Sequence, residues 1–140
     1  MDPDQLADRV ARAMLAAEGT GPSWDIRIEE ARAGYARLRM VLRADMLNGH
    51  RIAHGGIVFS LADTAFAYVC NGNNERTVAA QASIVFLDAA KEGEVLIAEG
   101  EETSRVGRSG VTRVTVRTED GRPIAEFTGY SRTIGGSVLV

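Results

Sequence analysis

Asp63 is the residue that most needs a chemical reason for its position. It stands near the middle of Ile57, Val58, Phe59, Leu61, Ala62, Ala65, Phe66, Ala67, Tyr68 and Val69, a run apolar on nearly every helical face. Such a helix is a buried one, and a buried carboxylate without a partner is costly. Its oxygen could serve as a nucleophile or as a general base. Just upstream stand Asn48, His50, His54 and the pair Gly55-Gly56. A glycine pair ahead of a helix gathers free backbone N–H groups at the positive end of the helix dipole. It also lets a ligand come close to the backbone. A carbonyl oxygen placed there would be polarised as in an oxyanion hole. The plainer alternative is that the glycines only start the helix.

Spacing limits what Gly55 and Asp63 can do together. Eight residues of helix separate them by about 12 Å, too far to share one small reacting centre within a chain. Two such helices lying antiparallel across a two-fold dimer would set the first turn of one against the middle of the other. The competing reading is that Asp63 bonds Ser60 or Thr64 and only fixes packing; spacing leaves both open. Asn48 could orient a water or a side chain, or be an ordinary turn residue. His50 and His54 have a helical metal-pair spacing, but Gly49 and Gly55-Gly56 make the segment a loop, and no carboxylate or cysteine completes a ligand set. Metal binding is therefore not expected. Ser60 has no His–Asp pair to activate it. Arg105 and Arg108, in the stretch Ser104-Arg105-Val106-Gly107-Arg108-Ser109-Gly110, could hold phosphates, although an exposed turn explains them as well.

The elements that must position these residues are legible from period and punctuation. Asp2-Pro3-Asp4-Gln5 is a helix start with a capping box, and Leu6, Val10, Met14 and Ala17 follow at helical spacing. Gly19 and Gly21-Pro22 should stop this helix. From Trp24 the period becomes two. Trp24, Ile26 and Ile28 make one strand, then a turn at Ala33-Gly34 leads to Ala36, Leu38, Met40 and Leu42, with Arg37, Arg39 and Arg43 on the opposite, solvated face. After the central helix come four strands: 77–87, 95–103, 110–118 and about 122–134, the last two joined by the turn Glu119-Asp120-Gly121. Hairpin links imply a largely antiparallel sheet, curled around the apolar helix, with open edges that favour pairing to another chain.

Composition restricts the rest. A chain of 140 residues is expected to be a single domain, with residues 1–20 an N-terminal helix and 24–136 the core. The formal charge of −3 argues against a nucleic-acid partner. Cys70 has no second cysteine to pair with and reads as a small core residue in a reducing, cytoplasmic compartment. The N-terminus lacks a signal peptide's basic and apolar regions. No apolar run approaches membrane-spanning length.

With these residues assembled, Asn48 to Ala65 reads N-x5-H-G-G-x4-L-x-D-x-A, which resembles the hotdog-fold acyl-CoA thioesterases. His54 to Asn71 is most similar to the phenylacetate-degradation branch, whose pattern H-G-G-x-x-F-S-L-A-D-T-A-F-A-Y-x-C-N it matches. Weaker similarity continues through Phe86-Leu87, Gly93-Glu94, Gly110-Val111 and Ile134-Gly135-Gly136. The resemblance implies an α+β hotdog fold, with a long helix wrapped by a six-stranded antiparallel sheet. It implies metal-free, cofactor-free hydrolysis of a CoA thioester by a homodimer with shared sites, paired into a homotetramer. Asp63 would be the catalytic carboxylate. The backbone N–H of Gly55 on the partner chain would polarise the carbonyl, and His54 and Asn48 would position substrate or water. Gly56, Thr64, Ser83 and residues Arg105, Val106, Gly107, Arg108 and Ser109 complete the expected substrate contacts. Asp88-Ala89 replaces the Arg-Pro or Ser-Pro of many relatives. Ala79 and Ala80 stand where some place a Ser or Thr to assist water, a role left to Gln81 or Ser83. Gly107 stands where relatives often carry Lys. Phenylacetyl-CoA or hydroxyphenylacetyl-CoA is the expected substrate type. The rival functions are an acyl-thioester hydratase or dehydratase and a non-catalytic acyl-CoA sensor.

Overall fold

The computed structural model describes residues 1–140. Helix α1 (Pro3–Ala17) begins with the expected capping box: the Asp2 carboxylate accepts the Gln5 N–H at 2.9 Å and the Gln5 side chain accepts the Asp2 N–H at 3.4 Å. It buries Ala7, Val10 and Ala11 against the domain. The segment expected only to stop it forms a second short helix, α2 (Thr20–Ser23). Trp24 terminates α2, and Asp25 takes a positive φ of 53°. The first strand therefore starts three residues later than its period implied, as β1 (Arg27–Arg32). A left-handed Gly34 (φ 72°) turns the chain into β2 (Tyr35–Val41).

A 3-10 turn (Ala44–Met46) and a loop lead to α3 (Gly55–Cys70). Four strands follow: β3 (Glu75–Phe86), β4 (Val95–Val106), β5 (Ser109–Thr118) and β6 (Pro123–Ser137). β6 runs past the Ile134 limit read from the sequence. Gly135 and Gly136, both at positive φ, carry the strand on until Ser137 pairs with Glu75. All neighbours are antiparallel, in the order β1-β2-β4-β5-β6-β3. β3 crosses the whole sheet after α3 and becomes an edge, a placement that period alone does not reveal.

The concave face of the sheet wraps α3. Leu61, Ala62, Ala65 and Phe66 are almost fully buried against Leu38, Leu96, Val114, Val116 and Phe127. Two glycines make this close wrap possible. A Cβ on Gly129 would stand 2.7 Å from the Phe66 ring, and one on Gly100 would stand 3.1 Å from Val69. The convex face is solvated by charges that alternate in sign across strands. Arg37 meets Glu29 and Glu30, Arg39 meets Glu119, and Arg117 meets Glu99. Exposed pairs of this kind contribute little individually; their main effect is to keep that face in water. Arg43, expected beside them, instead pairs with Asp45 and donates to the Ser23 carbonyl.

Candidate active site

His54 is extended and caps α3. Its Nδ1 accepts the Gly56 N–H at 2.8 Å, which leaves the proton of the neutral ring on Nε2. Its carbonyl accepts from Ile57 and Val58. Of the donors in the first turn, the Gly55 N–H has no partner in the protomer. Next to it lies the Phe86 ring, with Cζ 3.1 Å from where a Gly55 Cβ would be. Gly55 and Phe86 share a cleft of about 360 Å³ with Asn48, Val58, Asp88 and Ile124.

Asn48 folds the loop leading to that cleft. Its Oδ1 accepts the N–H groups of His50 (2.9 Å) and Ile52 (3.4 Å), so the turn role is real, and the amide N–H2 stays free. Arg51 in the same loop has a positive φ of 63°. His50 is exposed and stays apart from any carboxylate or thiol cluster; no three His, Cys, Asp or Glu side chains gather as metal ligands.

Asp63 is half-buried, and its carboxylate has no hydrogen bond or ion pair within the chain. Burial alone raises its pKa above the ordinary carboxylate value. The packing alternative needed a bond to Ser60 or Thr64, and both are engaged elsewhere. The Ser60 hydroxyl donates to the Gly56 carbonyl and the Thr64 hydroxyl to the Ser60 carbonyl, each at 2.7 Å. Thr64 itself is buried, whereas Gly56 is exposed at the start of the helix.

The remaining expected contacts separate. Ser83 is exposed on the edge strand β3, opposite Thr128, and Gln81 is likewise exposed. Arg105 and Val106 end β4, Gly107 and Arg108 form a two-residue turn, and Ser109 opens β5. Arg105 is held by Glu102 at 2.9 Å and donates to the Thr133 hydroxyl and the Cys70 carbonyl. It thereby closes the C-terminal end of α3. Arg108 alone of that pair keeps a free guanidinium. Cys70 is buried, with its thiol pushed up to about 12 chiefly by burial, which makes it an unreactive core residue. Phe86 and Asp88 as cleft walls were not among the expected contacts. The exposed apolar end of β3 was the available signal, with Val85, Phe86 and Leu87 all more than half exposed.

A long helix held in the curve of an antiparallel sheet, an open N–H at its start and an unpaired carboxylate at its middle define the hotdog class of acyl-thioester proteins. The comparisons narrow the class. Residues 50–125 match the profile of the thioesterase superfamily. The acyl-coenzyme A thioesterase PaaI of Escherichia coli is 36% identical over 128 residues, covering 91% of each chain. The solved structure of the E. coli PaaI protein, from the phenylacetic acid degradation operon, superposes with a TM-score of 0.95 at 34% identity, over 97% of this chain and 99% of that one. A hypothetical thioesterase protein of Streptococcus pneumoniae, solved with coenzyme A, matches at TM-score 0.77 and 28% identity, over 80% of this chain and 88% of that one. The chain belongs to the thioesterase superfamily.

Proposed function

We infer that the protein hydrolyses acyl-CoA thioesters, taking water to the carbonyl and releasing a carboxylic acid and the CoA thiol. The observation that carries this is Asp63: a half-buried carboxylate, unsatisfied in its own protomer and shifted upward by burial. A carboxylate with a raised pKa is a stronger base toward water, and the same oxygen can instead attack the carbonyl. The open Gly55 N–H supplies the polarising donor.

The two groups lie on one helix about 12 Å apart, so their cooperation requires two chains. The structure has a suitable edge for that. β3 lies at the end of the sheet order, with one side unpaired along Glu75–Phe86 and Val78, Val85 and Phe86 exposed. Pairing β3 with a second β3 would bring two α3 helices side by side and antiparallel, with Gly55 of one facing Asp63 of the other. A homodimer with two shared sites is the proposed unit, and a homotetramer its doubling. His54 and Asn48 keep free groups, Nε2–H and the amide, on the same loop as the Gly55 N–H; they would hold the water or acyl oxygen. Phenylacetyl- or hydroxyphenylacetyl-CoA is the proposed substrate type, by kinship with PaaI and with the aromatic wall of Phe86 as support.

The test is a hydrolysis panel over aryl, short and long acyl-CoAs, with free thiol as readout. Turnover highest on aryl-acetyl thioesters and lost in folded, dimeric Asp63→Ala is the expected outcome. Enoyl-CoA hydration without thiol release would favour the hydratase instead, and tight binding without turnover would favour the sensor. Single-turnover hydrolysis in labelled water separates the two roles of Asp63. Base catalysis puts the label in the released acid and none in the enzyme. Attack by Asp63 expels the CoA thiol to give an acyl–Asp63 anhydride, and its opening by water at the Asp63 carbonyl leaves the label in the Asp63 carboxylate.

A further inference from the structure

Arg122, in the turn between β5 and β6, lies behind the Gly55 cleft and does not line it. Buried Thr118 pins its backbone on both sides. The Arg122 N–H donates to the Thr118 hydroxyl and the Arg122 carbonyl accepts the Thr118 N–H, each at 2.9 Å. From that base the side chain reaches residues 87–90, which form one wall of the cleft. Its Nη2 donates to the Ala89 carbonyl at 3.0 Å and to Glu94 Oε1 at 2.9 Å. Its Nε is buried without an aligned acceptor and stands 3.1 Å from Asp88 Oδ2, as an ion pair.

Backbone bonds hold only the two ends of that wall. The Leu87 and Asp88 N–H groups donate to the Ile124 carbonyl at 2.8 and 3.3 Å, and the Ala90 carbonyl accepts the Ala53 N–H at 2.8 Å. Between them, the Ala89 N–H goes to the Asp88 carboxylate at 2.8 Å and the Ala89 carbonyl to Arg122. Neither Asp88 nor Ala89 has the fixed φ of proline, so these side-chain contacts set how far the wall stands from the helix. The anchor nearest Gly55 is the Ala53 backbone bond, so loss of Arg122 should move the wall more than it moves the Gly55 N–H. In the proposed function the thioester carbonyl sits at that N–H, which opens into the cleft. The cleft is walled by Ile52, Val58, Phe86, Leu87 and Ile124, with only Asn48 and Asp88 carrying polar side chains. An amide-bearing thiol arm would leave its polar groups unpaired there, whereas an apolar acyl chain or ring would not.

We propose that Arg122 is a positioning residue for acyl selectivity: from behind the cleft it straps Asp88 and Ala89 into a fixed wall against which the apolar part of the acyl group lies. The inference rests on the thioesterase reading. Binding sites hold their geometry when the residues that touch the ligand are locked by a supporting layer, and Arg122 is that layer here.

The experiment measures kcat and KM for phenylacetyl-, octanoyl- and acetyl-CoA, with free thiol as readout and circular dichroism to verify folding. It compares wild type, Arg122→Ala, Arg122→Lys, Asp88→Ala and the double variant Arg122→Ala/Asp88→Ala. Wild type should prefer at least one of the two large acyl groups over acetyl. Arg122→Ala should lose about tenfold of that preference, chiefly through a higher KM for the large acyl group. Arg122→Lys, whose single ammonium cannot serve the carbonyl and both carboxylates as a fork does, should fall between, and it carries the comparison if the alanine variant does not fold. The double variant should lose no more preference than Arg122→Ala, because Asp88 and Arg122 act through one contact. Thioester cleavage without preference in wild type overturns the strap and leaves the activity standing. So does folded Arg122→Ala with its preference intact, an equal loss on large and small acyl groups, or full additivity in the double variant. Wild type that releases no thiol from any of the three overturns the thioesterase reading, and the strap with it.

Discussion

At the scale of the residue, Asp63 and Gly55 make opposite demands on the fold. Burial raises the Asp63 pKa, so the native state holds a proton more tightly than the unfolded chain does. Stability therefore falls as pH rises from the ordinary carboxylate value through the raised one, and the cost is full above that window. Asp63→Asn should accordingly melt a few degrees higher than wild type near pH 8, with the difference vanishing near pH 3. Thermal melts across that range check it, and equal melting at both ends would contradict the desolvated carboxylate. Activity should show the reverse dependence: kcat/KM falls on the acid side with a midpoint above the ordinary carboxylate value. For Gly55 the sharpest probe is Gly55→Pro. Proline fits the first helical position, His54 is already extended as a pre-proline residue must be, and the neighbouring Phe86 ring is exposed enough to yield. The change removes little but the N–H. Loss of about 10²-fold or more in kcat is expected, with melting nearly unchanged.

At the scale of the element, α3 can sit in the sheet only because certain sheet positions lack a side chain. Gly129 and Gly100 are where the helix comes closest. Gly129→Ala would force its methyl against the buried Phe66 ring, at a cost of about 1–3 kcal/mol. Phe66→Leu removes the ring edge but leaves a cavity. The double variant should then be more stable than the sum of the two single effects, a coupling readable by denaturant melts; strict additivity would mean the glycine is not there for the helix. The capping box of α1, the hairpin turns and the alternation of β5 were all legible in the sequence, because each is set by residues within a few positions. The start of β1 and the end of β6 were not. One depends on α2 ending at Trp24 with Asp25 at positive φ, the other on a partner strand that lies far away in the chain.

At the scale of the whole molecule, the decisive feature is that each proposed site needs two chains. Complementation tests this directly. Inactive Asp63→Ala and inactive Gly55→Pro, mixed under conditions that exchange subunits, should recover about one quarter of wild-type turnover. Half the dimers are then mixed, and one of their two sites carries neither lesion. No recovery, with exchange demonstrated, would mean that Gly55 of one chain and Asp63 of the other do not meet in one site. Residues on opposite sides of the shared site would thus be separated by genetics as they are by geometry.

The amino-acid order by itself determined the helix, its glycine start, the awkward Asp63 and the distance that keeps Gly55 and Asp63 from cooperating in one chain. These follow from periodicity and the fixed rise of a helix, which are local. Only the tertiary structure decided that Ser60 and Thr64 turn their hydroxyls to helix carbonyls and leave Asp63 unpaired. It also decided that Arg105 is consumed by Glu102 and the end of α3 while Arg108 stays free beside Arg132. And it placed β3 at the open edge of the sheet, with Phe86 against Gly55. Each of these is a choice among several partners of similar chemistry. For Ser60 and Thr64 the winning partner is the carbonyl one turn back in the formed helix. For Arg105, Arg108 and Phe86 it is settled by which strands lie side by side, and strand order is a property of the whole packed chain.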